Sequence, residues 1–172
     1  LGLGRIGKEV AIRARAFGMS IIAFDPYFDD SFASENGVKR CANMDEVLHN
    51  SDVVSLHCFL NDETEDMINA AKIAEMRDQV IVLNCARGEL VNTEDMADAL
   101  KSGRVGGYGA DVLDAEPPTS GHVLIGAPNC IITSHIGSRT HESVQRQANR
   151  CLNNAINFFS GADDVLCANG VL

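Results

Sequence analysis

Gly2, Gly4 and Gly7 stand in the spacing Gly-x-Gly-x-x-Gly, and Ile6, Val10, Ala14 and Phe17 carry on from them at helical intervals. No other stretch restricts the fold as much. A glycine run that opens a helix asks for a sharp turn out of a strand, a backbone that can be approached closely, and a helix packed tightly on its sheet. It also turns unpaired first-turn N–H groups and the positive end of a helix dipole outward, which suits a phosphate. Alone, such a run is also compatible with an ordinary turn. Asp25 tips the balance. It closes the next apolar run, Ile21-Ile22-Ala23-Phe24, about where a carboxylate accepts hydrogen bonds from an adenosine ribose. A carboxylate there repels a 2′-phosphate, so the residues point to NAD rather than NADP.

The rest of the chain alternates between two periods. Short apolar runs predict strands over about 20–25, 52–57, 79–85, 105–111 and 130–133. Helical patterns predict helices over 5–17, over 43–48 with Asn43 as N-cap, over 70–76, over 94–102 with Thr93 as N-cap, and from Thr140 to about Phe159. Residues 29–36 read as a loop or a short helix, and Pro117 and Pro118 exclude helix around them. The apolar helical stripes are expected in the core. Strands alternating with helices imply right-handed crossovers and an α/β fold, a Rossmann-type doubly wound parallel sheet with helices on both faces. Ligands bind such sheets at the carboxyl ends of the strands. Asp25, His57, Arg87, Asp111, Glu116 and His135 all fall at or just after those ends.

The 172 residues suit one domain with a sizeable core. Gly2 follows a single residue, so the expectation is that the first strand is truncated and that further residues precede it. A net charge of −10 argues against nucleic acid or an anionic membrane as a direct partner. Cys41, Cys58, Cys85, Cys130, Cys151 and Cys167 form no Cys-x-x-Cys pair, and several sit in apolar runs. They read as reduced thiols of a cytoplasmic protein rather than as disulfides or metal ligands. No stretch approaches the length of a membrane-spanning helix.

The polar groups at the strand ends suggest chemistry. An arginine such as Arg87, between a strand and a glycine, can grip a carboxylate with two prongs and polarise a neighbouring carbonyl. His135, in Thr-Ser-His-Ile-Gly, is a natural proton donor and acceptor. A carboxylate beside it, such as Glu116, would keep the ring protonated and fix its tautomer. Asp111 can accept a bond from a nicotinamide amide. Each of these residues has a plainer reading as a turn, cap or surface group. His49, His122 and His141 have neither a paired acid nor metal-ligand spacing and read as surface residues. No metal motif and no Gly-x-Ser-x-Gly occurs.

Taken in order, Gly2-Leu3-Gly4-Arg5-Ile6-Gly7, Phe24-Asp25-Pro26-Tyr27, Asn84-Cys85-Ala86-Arg87-Gly88-Glu89-Leu90-Val91-Asn92, Gly109-Ala110-Asp111-Val112-Leu113-Asp114-Ala115-Glu116-Pro117-Pro118 and Ser134-His135-Ile136-Gly137-Ser138 resemble the NAD-binding domain of the D-isomer-specific 2-hydroxyacid dehydrogenases, most like their D-3-phosphoglycerate dehydrogenase branch. The resemblance implies Arg87, Glu116 and His135 as the catalytic set. It implies that Gly2, Gly4, Arg5, Ile6, Gly7, Asp25, Cys58, Cys85, Ala86, Arg87, Asp111, His135, Gly137 and Ser138 line NAD. It further implies a small 2-oxo or 2-hydroxy acid as substrate, a homodimer formed through the cofactor domain, and a substrate domain mostly absent from this sequence. One departure stands out. Where the family often has His-Thr-Pro-Leu, this chain has His57-Cys58-Phe59-Leu60, a version that also resembles the C-terminal-binding-protein corepressors.

Overall fold

The computed structural model describes residues 1–162 and Val165. Cys167, expected as a reduced thiol, lies outside the described residues. The chain divides into two compact units, Leu1–Ser134 and a second from His135 onward.

In the first unit, α1 (Arg5–Ala16) leads to β1 (Ile21–Ala23), α2 (Asp30–Asn36), β2 (Val38–Arg40), α3 (Met44–Asn50) and β3 (Val53–Leu56). Then come α4 (Ala70–Glu75), β4 (Val80–Asn84), a 3-10 turn over Gly88–Leu90, α5 (Thr93–Ser102), β5 (Val105–Ala110) and β6 (Cys130–Ile132). The second unit holds α6 (His141–Ser160). Short polar side chains start most of these helices. Asp29, Asn43, Asn69, Asn92 and Thr140 each accept a backbone N–H from the first turn of α2 to α6 in that order, satisfying a donor the helix cannot satisfy itself. Gly37, Gly103 and Gly161 end α2, α5 and α6 in the left-handed region. The cap of α5 is thus Asn92, one residue before the expected Thr93. Sequence reading did not find β2, which is three residues long.

Every strand pairing among the described residues is parallel. One sheet runs β3-β4-β5-β6 and a second pairs β1 with β2. Residues 1–3 lie between them. Gly2 N donates to Phe24 O at 2.9 Å on the β1 side, and His57 N donates to Leu1 O at 2.8 Å on the β3 side. The array therefore reads β2, β1, residues 1–3, β3, β4, β5, β6. The chain winds outward in one direction through β1 and β2, then returns to wind in the other from β3. That reversal is the topological switch point of a doubly wound sheet.

The main core joins α3, α4 and α5 to β3, β4 and β5 through Leu48, Leu56, Ile68, Val80, Val82, Met96 and Val105, all essentially inaccessible. A smaller cluster of Leu3, Ala11, Ala23, Ala33 and Val38 seats α1 and α2 on β1 and β2. The expectation that helical stripes form the core fails for α1. Gly7 and Ala11 are its buried residues, while Ile6, Val10 and Phe17 are exposed. Small residues set the contact because they let the helix lie close to the strands, and the large residues are turned off that line. In α6, taken by itself, no residue is buried. No helix among the described residues is long and apolar enough to cross a membrane.

Candidate functional site

The three glycines of the opening turn do different work. Gly2 has φ +86, and a Cβ there would come within 2.6 Å of the His57 carbonyl oxygen. A Cβ on Gly7 would overlap the Gly2 carbonyl oxygen. Both positions need glycine for the fold itself. Gly4 has φ −71 and nothing within 4 Å of where a Cβ would stand. Packing within the protein does not ask for glycine at that position, but close approach of a ligand does. Gly4 is also the N-cap of α1 and gives it no side-chain hydrogen bond, unlike the caps of α2 to α6. No acidic residue sits in that first turn. Arg5 and Ile6 are exposed beside the open N–H groups. An anion can complete this helix end.

Asp25 is tied to the same turn. Its Oδ2 accepts from Leu3 N at 2.6 Å and its Oδ1 from Tyr27 N at 2.7 Å. A carboxylate has about four acceptor sites, so both oxygens keep capacity for a ribose hydroxyl. At the end of β3, His57 Nε2 meets Ser55 Oγ at 2.9 Å. Burial pushes its imidazole down to about 4, so a neutral ring lies under the glycine turn. Cys58 follows, half-buried, its thiol pushed up first by burial, with Asp25 adding to the effect. Such a thiol is a packing group rather than a nucleophile.

At the end of β4, Asn84 is fully buried and builds the turn that carries Arg87. Its Nδ2 donates to Arg87 O at 2.8 Å and its Oδ1 accepts from Ala86 N at 3.1 Å. Arg87 is exposed, with Nη1 on Ala86 O at 2.6 Å. Cys85 beside it is exposed, and partial desolvation followed by the Asp111 charge pushes its thiol up. Gly88 presses on the next loop, since a Cβ there would overlap the Leu113 carbonyl carbon and the Asp114 nitrogen. Asp111 is buried where three strand ends meet. Its N donates to Asn84 O at 3.0 Å, and Thr133 donates its hydroxyl to the Asp111 carboxylate. Glu116 folds back so that Oε1 accepts from Leu113 N at 3.0 Å, and the Glu116–Pro117 peptide is cis.

The first unit thus gathers Gly2, Gly4, Arg5, Ile6, Gly7, Asp25 and Cys58 around the switch point. It sets Cys85, Ala86, Arg87, Asp111 and Glu116 at the neighbouring strand ends. In the second unit, His135 has φ +54, uncommon outside glycine. Arg139 N donates to Ile136 O at 2.8 Å, and Gln147 Nε2 to Ser138 O at 3.1 Å. Gly137 and Ser138 therefore lie in a turn pinned to α6.

One reading is corrected. His122 is not a surface residue without a paired acid. Its side chain is 6% exposed, and Nε2 meets Asp114 Oδ1 at 2.8 Å. The acid stands eight residues upstream across a loop broken by two prolines, a separation that no periodic pattern marks. Sequence reading also passed over Asn84. The signal was there, a lone amide closing an otherwise apolar run.

A parallel sheet that switches direction beside a glycine turn of this geometry is a dinucleotide-binding α/β domain. Residues 1–137 match the D-isomer specific 2-hydroxyacid dehydrogenase, NAD binding domain family, and the chain belongs to that family. It is 43% identical over 162 residues to a hydroxypyruvate reductase of Blautia hydrogenotrophica, covering 94% of this chain and 50% of the reductase. It is 37% identical over 161 residues to the D-3-phosphoglycerate dehydrogenase of Bacillus subtilis, covering 94% of this chain and 30% of that enzyme. The crystal structure of D-lactate dehydrogenase with NAD+ from Lactobacillus jensenii superposes with a TM-score of 0.87 at 31% identity, over 96% of this chain and 54% of that one. The chain spans half or less of the length of these two curated relatives.

Proposed function

We propose that the protein is an NAD-dependent oxidoreductase that moves a hydride between nicotinamide and C2 of a D-2-hydroxy acid or 2-oxo acid, with phosphoglycerate dehydrogenase-like chemistry. The observation that carries this reading is the packing of Gly88 on the Leu113–Asp114 peptide. It fixes the Arg87 turn against the loop that bears Glu116, so the two groups an oxo-acid site needs are braced on one another.

The glycine turn and the open end of α1 hold the pyrophosphate, and Asp25 takes the ribose hydroxyls and disfavours a 2′-phosphate. Cys58, Cys85, Ala86, Asp111, Gly137 and Ser138 complete the lining. When bound, the nicotinamide supplies or takes the hydride. Arg87 holds the substrate carboxylate and polarises its carbonyl. His135 gives a proton to the carbonyl oxygen in reduction and takes it back in oxidation, and Glu116 completes the catalytic set. The protein works in the cytoplasm as a homodimer formed through this domain, with a small acid rather than nucleic acid or membrane as its partner. The Ser134-His135-Ile136-Gly137-Ser138-Arg139-Thr140 segment favours an enzyme over a corepressor, and Arg87, Glu116 and His135 together favour it over a catalytically idle relative.

The test is a fluorescence titration of this chain, which is expected to bind cofactor but turn over poorly by itself, with NADH and with NADPH, followed by NADH oxidation by the full-length protein against a panel of 2-oxo acids. Binding that prefers NADH and oxo-acid-dependent oxidation are expected. His135→Asn should lower turnover by ~10²–10⁴-fold. Parental turnover in that variant removes His135 from the chemistry, and failure of every oxo acid removes the enzyme reading.

A further inference from the structure

We propose that Asp114 and His122 form a positioning pair that holds Glu116 at the strand ends; this rests on the oxidoreductase reading above. Residues 114–121 are all exposed, yet the His122 side chain that follows them is 6% exposed. Both ring nitrogens are engaged. Leu124 N donates to Nδ1 at 3.4 Å, which leaves Nε2 to carry the hydrogen toward Asp114 Oδ1 at 2.8 Å. Leu124 itself is 2% exposed and belongs to the main core. A line of contacts therefore runs from the core through Leu124 and His122 to Asp114, two residues before Glu116.

The other side of the loop is fixed as well. Gly88 blocks any movement of the Leu113–Asp114 peptide toward β4, and Glu116 Oε1 is already bonded to Leu113 N. The Asp114–His122 contact closes the neck of the loop, so Glu116 sits on a short, doubly tied arc. The surroundings explain why a donor is needed at this position. Asp114 lines a cleft of about 300 Å³ with Glu65, Asp66, Glu89 and Glu94, and among the described residues no lysine, arginine or histidine lines it. Thr93 bonds to Asp114 from α5. Without the N–H of His122, the Asp114 carboxylate is left with the Thr93 bond in a cleft that offers it no cation, and the neck of the arc that carries Glu116 is untied.

The pair acts through Glu116 and touches no substrate, so its removal should show in proton chemistry rather than in cofactor binding. The test compares His122→Ala, His122→Gln and His122→Leu in the intact protein. It reads kcat for oxo-acid reduction across pH, NADH affinity and the thermal midpoint. His122→Ala is expected to lower kcat roughly tenfold and to leave NADH affinity within about twofold. It should also displace the pH profile of kcat, since the proposed proton transfer then works without Glu116 in its place. His122→Gln, whose amide can donate to Asp114, should recover most of both effects. Should His122→Ala fail to fold, His122→Leu, which fills the same space without a donor, carries the same expectation. A kcat that drops with the thermal midpoint while the pH profile stays in place marks a merely structural tie and overturns the proposal, as does an unchanged kcat. If the parent protein reduces no 2-oxo acid, the oxidoreductase reading falls and this proposal with it. If the parent turns over and the variants match it, the positioning role alone falls.

Discussion

Gly88 lies so close to Leu113 that any side chain at 88 would overlap the Leu113 carbonyl carbon. The contact is backbone on backbone, so no rotamer change relieves it. Both residues are buried, and Arg87 and Glu116 hang from the two sides of the contact. Gly88→Ala should therefore destabilise the protein by about 3 kcal/mol or more, at the upper end for overpacking. It should also remove oxo-acid turnover in whatever protein still folds. Chemical denaturation and a turnover assay check both, and an alanine variant with the parent's midpoint would show that the two segments can part.

That relationship shows where sequence reading stops. The glycine spacing and Asp25 are adjacent enough in the chain to be read directly, and they meet as expected, Leu3 N on Asp25 Oδ2. The alternation of apolar runs gave the parallel sheet, since side-chain period reports burial. Contacts that depend on two distant backbones leave no period. Nothing near Gly88 in the sequence names Leu113 as its neighbour, and nothing near His122 names Asp114. The stripe on α1 misled for a related reason. Hydrophobicity predicts burial of Ile6, Val10 and Phe17, but the packing distance is set by what is missing at Gly7 and Ala11.

His57 gives a dependence on acidity. Its folded-state value is lowered to about 4 by burial, against about 6.5 in an unfolded chain. Between those values the unfolded chain binds a proton that the folded protein refuses, so stability rises with pH through this window and falls as pH drops. The thermal midpoint should decrease by a few degrees between pH 7 and pH 5 on this account. His57→Gln, which removes the titration, should show a flatter profile over the same range. Parallel profiles for parent and variant would mean that the fold does not depress the titration of His57.

Asp25 is asked to do two things, and they separate by mutation. Its oxygens brace Leu3 N and Tyr27 N, and under the proposed function it also accepts the ribose hydroxyls. Asp25→Ala should weaken NADH binding by roughly tenfold, the loss expected for a charged hydrogen bond. NADPH should lose less, because the repelling charge goes at the same time, so the preference narrows. A titration in which both cofactors weaken equally would assign Asp25 to bracing alone.

The clearest division between fold and ligand lies in the glycine turn itself. Gly4 has an ordinary helical-entry φ of −71 and open space where a Cβ would go. Gly4→Ala should therefore fold, with a loss of about 1 kcal/mol or less for the poorer N-cap. Gly2→Ala forces a side chain onto φ +86 and into the His57 carbonyl, and should cost several times as much. NADH binding orders the two variants differently from stability. If the empty space at Gly4 is where the pyrophosphate comes against the backbone, Gly4→Ala loses tenfold or more in NADH affinity while its thermal midpoint stays within a few degrees of the parent. An alanine at position 4 that binds NADH as the parent does would leave that glycine without a purpose, and would move the phosphate site away from the start of α1.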